Sequence, residues 1–346
     1  MIPATPPPKR TAFVTGSTGL LGNNLVRELL AAGFAVRALA RSREKAERQL
    51  GGLDVEIVEG DMLDVPRFAG ALRGVDVIFH TAAYFRDSFK GGSHWKALQA
   101  ANVAGTKALL ERGYSAGVRR FVHASSVAVL DGERGQIIDE TMHRKDDTPD
   151  DYYRSKILSD REVFSFLERH QDMWAALVLP GWMFGPGDLG PTSSGQTVLD
   201  FVNRKIPGIP PGTFPLVDAR DVAQAMILAN DRGRRGERYL AAGRHMSGSE
   251  LFPLLAEVSG VPTPTRRLPL SLLFVVGALS ELKARLTKRP VTLSWATVRA
   301  VSREMEKSRF SAAKSERELG LKFRPVRDTL SDEIHWYRNH GFLARA

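Results

Sequence analysis

The segment Thr15-Gly16-Ser17-Thr18-Gly19-Leu20-Leu21-Gly22 constrains the fold of this 346-residue chain more than any other. It stands between a short β run at 11–15 and a helically spaced segment at 20–32 that closes at Gly33. Glycine tolerates positive φ and lets a phosphate approach the backbone. Gly16 permits a tight turn after the strand, Gly19 the close approach of a pyrophosphate, and Gly22 close packing of the next helix on a sheet. A helix starting near Leu20 adds free N–H groups and its positive dipole end. The loop lacks a Gly-Lys-Ser/Thr ending, so it is not a nucleoside-triphosphate P-loop. The segment predicts a dinucleotide cradle.

The chain beyond the cradle fits that setting. Strand-like runs at 34–40, 54–58, 76–80, 120–124 and 175–179 alternate with amphipathic segments at 43–50, 65–72, 94–116 and 152–170. Such alternation predicts an α/β fold, a Rossmann-like doubly wound parallel sheet with helices on both faces and ligands outside the carboxyl ends of its strands. Residues 181–216 hold seven glycines and six prolines and read as loops. A strand at 215–217 and a helix at 219–230 read as a return to the main sheet, followed by a strand at 238–242 and a mostly helical remainder. The expected organisation is a flexible tail at 1–10, a dinucleotide-binding domain at 11–180 plus about 215–242, and a smaller, mostly helical substrate lobe at 181–214 plus 243–346.

Composition excludes several chemistries. With no cysteine there are no disulfides, no thiol catalysis and no Cys-ligated zinc. The eight histidines show no metal-ligand spacing, so no metal is expected. The net charge of +10 is dispersed; its densest groups are Arg232, Arg234, Arg235 and Arg238, then Lys283, Arg285, Lys288 and Arg289. No nucleic-acid-binding motif accompanies them, so no nucleic-acid partner is expected. The start has no signal-peptide core, and cytoplasm is the expected location. The apolar run 268–279 falls short of the roughly 20 residues of a membrane span and reads as a buried helix, with a substrate lid or a membrane-touching surface helix as alternatives.

Three further features bear on chemistry. A carboxylate at the end of the second strand would bind a ribose 2′-OH, about 20 residues past the glycines. That position is Arg41, followed by Arg43, Lys45 and Arg48, and a guanidinium suits the 2′-phosphate of NADP(H). Tyr152 and Lys156 are one helical turn apart, behind Asp150 and Asp151, which suit a helix start. Tyrosine, with an ordinary pKa of about 10, needs a nearby cation to act at neutral pH, and Lys156 offers one. Tyr153 has the wrong spacing and reads as packing. Ser125-Ser126 follows the strand at 120–124, and Ser126 is the candidate for polarising a substrate carbonyl.

With the cradle, Ser126 and the Tyr152/Lys156 pair, the chain resembles the extended short-chain dehydrogenase/reductase family over nearly its whole length. Asp61-Met62 resembles the family's adenine-contacting pair, His80-Thr81-Ala82-Ala83 its loop beside the cofactor, and Asn102-Val103-Ala104-Gly105-Thr106 its helix motif. Pro180-Gly181-Trp182-Met183-Phe184-Gly185-Pro186 resembles its nicotinamide-side loop. The resemblance implies Ser126 orienting a carbonyl, Tyr152 as general acid/base and Lys156 tuning it. Cofactor contacts are implied at Gly16, Thr18, Gly19, Leu20, Leu21, Gly22, Arg41, Asp61, Met62, Thr81, Ala82, Ala83, Asn102, Lys156, Pro180, Gly181 and Met183. Arg41 and the His-Thr-Ala-Ala loop look most like the dihydroflavonol 4-reductase-like and 3β-hydroxysteroid dehydrogenase-like branch. Relatives pair through the helix at 152–170, which implies a homodimer.

The expected activity is an NADP(H)-dependent oxidoreductase acting on a fairly apolar small-molecule ketone, aldehyde or alcohol, with Tyr84, Ser126 and Trp182 at the substrate. Phe85, Phe89, Trp95, Phe184 and Phe201 are further aromatic candidates for the pocket or the core. The alternative is a nucleotide-sugar epimerase or dehydratase holding NAD. That branch usually has Arg before the proline of the nicotinamide loop, where this chain has Leu179. A nicotinamide-sensing protein without catalysis usually lacks the Tyr/Lys pair.

Overall fold

A computed structural model of the chain describes residues 9–85, 94–287, 295, 298–299, 302 and 305–344, with the backbone alone at 281–287. Phe89, Lys288, Arg289 and residues 1–8 of the expected tail lie outside them. Arg10, placed in that tail, is anchored: its guanidinium pairs with Asp231 at 3.2 Å and lies over the Phe34 ring.

Seven parallel strands form the main sheet: β1 (Thr11–Thr15), β2 (Ala35–Ala40), β3 (Val55–Glu59), β4 (Val77–His80), β5 (Arg120–Ala124), β6 (Trp174–Pro180) and β9 (Arg238–Ala241), in the order β3-β2-β1-β4-β5-β6-β9. Order reverses between β1 and β4, which opens a crevice at their carboxyl ends. Side chains along each strand alternate between two cores. Ala12 and Val14 of β1, with Val77 and Phe79 of β4, join one core; Phe13 and Ile78 join the other. A sheet buried on both faces explains why its central strands β1 and β4 are largely apolar.

The first core is closed by α1 (Leu20–Ala31) and α8 (Ala219–Arg232), the second by α5 (Gly105–Ser115) and α6 (Asp151–Arg169). The expected single helix at 94–116 is three pieces: α4 (Trp95–Leu98), a π-helical stretch at Gln99–Ala104 and α5. A π segment adds one residue to a turn and is frequent at functional sites.

Two expectations change. The Gly/Pro-rich 181–216 is not loop alone, for it contains β7 (Trp182–Phe184) and α7 (Ser193–Val202). The strand expected to rejoin the main sheet, β8 (Thr213–Asp218), instead pairs parallel with β7 and antiparallel with β10 (Arg244–Ser247) in a separate three-stranded sheet. Only its helix α8 docks on the main sheet. Phe184 and Phe201, candidates for the pocket or the core, are buried in a third core with α9 (Gly248–Ser259) and α12 (Val326–Asn339). The remaining helices are α2 (Arg43–Leu50), a short α3 (Val65–Phe68), α10 (Leu270–Thr287) and α11 (Ala313–Leu319).

Candidate active site

The cradle forms where β1 turns into α1. Gly16 adopts φ +67°, and a Cβ there would meet the Ala82 backbone at 2.8 Å, so only glycine lets the turn pass under the loop after β4. A Cβ on Gly22 would collide with the Gly16 carbonyl. Gly19 is exposed and open apart from one carbonyl at 3.3 Å. It stands at the N-cap of α1, where no side chain caps the helix, so the first N–H groups have no capping side chain. The Ser17 hydroxyl donates to the Leu39 carbonyl at 2.9 Å, and Thr81 Oγ donates to the Thr15 carbonyl at 2.6 Å, tying the turn to β2 and to the β4 loop. Because Gly22 has no room for a methyl, Gly22→Ala should lower stability by about 1–3 kcal/mol; a thermal melt within error of the wild type would contradict this account of the cradle.

This open, uncapped helix start fits a dinucleotide pyrophosphate. Arg41, just past β2, is exposed beside it. Asp61 turns back to accept from the Leu63 N–H at 3.0 Å, and Met62 packs in the second core. The Asn102 amide, in the π segment, is engaged by the protein itself: it accepts from the Tyr84 N–H at 2.7 Å and donates to the Tyr84 carbonyl and to Ser155 Oγ. It clamps the β4 loop to α6.

Asp150 caps α6 by accepting from the Tyr153 N–H at 3.0 Å. Tyr152 lies in the first turn, and Lys156 one turn on is buried, its Nζ donating at 2.7 Å to the Ala124 carbonyl, the last residue of β5. Ser126 begins the next turn, its Oγ accepting from the Ala128 N–H at 3.1 Å, and its side chain lies near enough to Tyr152 to act on the phenol. Ser125 points elsewhere and donates to Asp160 Oδ2 at 2.9 Å inside the protein. Of the two serines, Ser126 is therefore the one beside Tyr152.

Electrostatics depart from the expectation in one respect. Burial pushes the Tyr152 phenol up to about 12, the Ser126 hydrogen bond pulling the other way. Burial, opposed by Asp160, pulls the Lys156 ammonium down to about 8. The expected lowering of Tyr152 by Lys156 is not found; desolvation of the phenol dominates. Beneath the pair lies a buried polar layer that sequence reasoning missed. His80, pulled down to about 3 by burial, bridges Thr15 Oγ1 and Thr106 Oγ1 at 2.7 and 2.9 Å. His123 Nε2 and Arg238 Nε each approach the Asp160 carboxylate to 3.5 Å. Asp160 follows Lys156 at i+4, so the Tyr152–Lys156–Asp160 stripe was the available sequence signal.

Ser126, Tyr152, Gly181 and Trp182 line one cavity of about 680 Å³. Most of its wall is apolar, with Phe85, Phe214, Phe252, Leu270 and Leu273. Tyr84 does not line it; Phe85, one residue on, does, with its ring 4.6 Å edge-on to Tyr152. Tyr153, read as packing, also lines it, under the Arg144 guanidinium. Trp95 instead lies under Arg154. Trp182 Nε1 donates to Ser193 Oγ at 3.1 Å, and its ring packs edge-on against Phe184 and Phe214. The loop after β7 is held over α1 by the Asn23 and Asn24 amides, which donate to the Gly187 and Pro186 carbonyls.

The NAD dependent epimerase/dehydratase family matches residues 12–242. Sterol demethylase protein B of Methylococcus capsulatus is 35% identical over 96% of this chain and 100% of its own length. A putative dihydroflavonol 4-reductase of Synechocystis is 32% identical over 96% and 95%. Among solved structures, gox2253 superposes with a TM-score of 0.81 at 32% identity, covering 97% of this chain and 100% of that one. The match spans the cradle, Ser126, the Tyr152/Lys156 pair and the main sheet, and the chain belongs to the NAD dependent epimerase/dehydratase family, as an enzyme of the extended short-chain dehydrogenase/reductase type with a nicotinamide cofactor.

Proposed function

We propose that the protein is an NADP(H)-dependent oxidoreductase that interconverts a ketone or aldehyde and its alcohol on a fairly apolar small molecule. The observation that carries this reading is the cavity: Ser126 and Tyr152 both line it, in a wall that is otherwise largely apolar. Among the described residues its cations, Arg144 and Lys307, both pair with Asp131, at 3.6 and 3.2 Å. Neither is set out for a sugar-linked diphosphate, which disfavours the nucleotide-sugar alternative.

A bound nicotinamide would supply or accept the hydride. The chain's own residues handle the oxygen. Ser126 donates to the substrate carbonyl and orients it toward Tyr152. Tyr152 protonates the oxygen as negative charge develops on it, and its high pKa keeps that proton in place at neutral pH. Lys156, charged below about pH 8, sets a positive field behind the phenol. Gly16, Thr18, Gly19 and Gly22, with the backbone N–H groups of Leu20 and Leu21, would cradle the pyrophosphate. Asp61 and Met62 would face the adenine. Thr81, Ala82, Ala83, Pro180, Gly181 and Met183 would line the nicotinamide side, and Asn102 would position the loop carrying them. The organisation proposed is a cofactor domain at 11–180 with about 219–242, and a substrate lobe from the rest of the chain after 180.

Arg41 tests the cofactor preference. Fluorescence titration should give tighter, exchangeable binding of NADPH than of NADH. Arg41→Ala should weaken NADPH by about 10- to 100-fold, the worth of a charged hydrogen bond, and leave NADH within about twofold. Equal binding of both cofactors by the wild type, or a non-exchanging NAD carried through purification, would move the assignment to the epimerase and dehydratase branch.

A further inference from the structure

Helix α10 is apolar on two sides. Leu270 and Leu273 face the substrate cavity, and Gly277 is buried. On the other side Leu272, Val275, Val276 and Leu279 are 44, 56, 39 and 61% exposed. Their spacing, i, i+3, i+4 and i+7, makes one stripe along the helix. A surface helix of a monomer ordinarily turns charged residues to water, and a continuous exposed aliphatic stripe marks an interaction site.

Flanking charge selects the occupant. Arg266 and Arg267, just before the helix, are exposed. In the sequence, Lys283, Arg285, Lys288 and Arg289 follow the stripe, and Glu281 is the one acidic residue between 266 and 289. A second copy of the same helix laid parallel would set Arg266 and Arg267 against their own counterparts. Anionic headgroups would neutralise Arg266 and Arg267, and the sequence beyond the stripe adds cations rather than acids. Among the described residues no helix is long and apolar enough to cross a membrane, so the helix would lie on the surface rather than span it.

We propose that α10 docks on an anionic lipid surface, its outer stripe at the boundary between headgroups and acyl chains and its inner side walling the substrate cavity. A lipophilic substrate then has a short path from the bilayer past Leu270 and Leu273 to Ser126 and Tyr152. That path rests on the proposed carbonyl chemistry; the docking does not.

The test is co-sedimentation of the full chain with vesicles of phosphatidylcholine and phosphatidylglycerol in equal parts, against phosphatidylcholine alone. The wild type should pellet with the anionic vesicles and be released by high salt. The triple variant Leu272→Ser, Val275→Ser, Leu279→Ser should lose roughly thirtyfold in partitioning. Arg266→Ala should weaken anionic binding by roughly fivefold and leave phosphatidylcholine unaffected. NADPH titration of each variant reports that the fold and the cradle are intact, and needs no substrate, so a failed carbonyl screen leaves the docking result standing. A wild type that stays in the supernatant, or retention unchanged in the triple variant, overturns the proposal. A dimer by light scattering that the triple variant dissociates, without any vesicle binding, gives the stripe to a second copy instead.

Discussion

Tyr152→Phe should lower turnover by about 10³-fold while NADPH affinity stays within about twofold, because one positioned proton donor is removed and the cradle is untouched. The substitution deletes a single oxygen. The ring keeps its edge contact with Phe85 at 4.6 Å, and α6 keeps its Asp150 cap. Stability should therefore change little. The measurement is single-turnover reduction of a carbonyl substrate found by screening, alongside a cofactor titration. Turnover within tenfold of the wild type would remove Tyr152 from the mechanism and leave Ser126 as the proton donor to examine.

Lys156 should make activity and stability respond to pH in opposite directions. Its pKa falls from 10.5 to about 8 on folding, chiefly through burial. Below pH 8 the lysine is charged in both states, and the native protein bears the full cost of burying that charge. Between about pH 8 and 10 the unfolded chain holds a proton that the native protein has released, so stability rises with pH, by up to about 3 kcal/mol. Over the same interval the positive field behind Tyr152 is lost, and the reductive rate should fall about tenfold per pH unit above 8. Tyr152 remains protonated throughout, its own pKa being near 12. Lys156→Met should flatten both profiles and cost about 100-fold in turnover at pH 7. Denaturant melts and initial rates across pH 7–10 provide the check; a wild-type rate that is flat through pH 9 would place the titrating group elsewhere.

The main sheet was legible in the sequence because it is written locally. Most of its strands are largely apolar runs, most crossovers are amphipathic runs, and β1 and β5 have the bounds their sequences predict, at Thr11–Thr15 and Arg120–Ala124. What sequence reasoning missed depends on partners distant along the chain. β8 looks like any strand before a helix, and nothing within Thr213–Asp218 says that it pairs with β7 and β10 rather than β9. β7 is only three residues long, and the glycines and prolines around it mask it. In the site, the order Ser126, Tyr152, Lys156 could be read from spacing and motif. Which of two neighbours faces the cavity could not: Phe85 rather than Tyr84, and Tyr153 as well as Tyr152, are decided by how loop and helix are rotated in the fold. The balance on Tyr152 also escaped, because a nearby lysine is visible in sequence and desolvation is not.

The two sheets exchange chain at tight crossings. β6 runs into β7 through Gly181 alone, where a Cβ would meet the Pro215 carbonyl at 2.5 Å and the Ala242 carbonyl at 2.7 Å. β9 runs into β10 past Gly243, which has φ +69° and no room for a side chain against Leu216. Backbones packed this closely leave no slack for a hinge, so the sheets cannot swing apart to admit a large substrate. Motion that opens the cavity must come from elements laid over it, and α10, with one face on the cavity and the other on the surface, is placed to move as a door while the frame holds still.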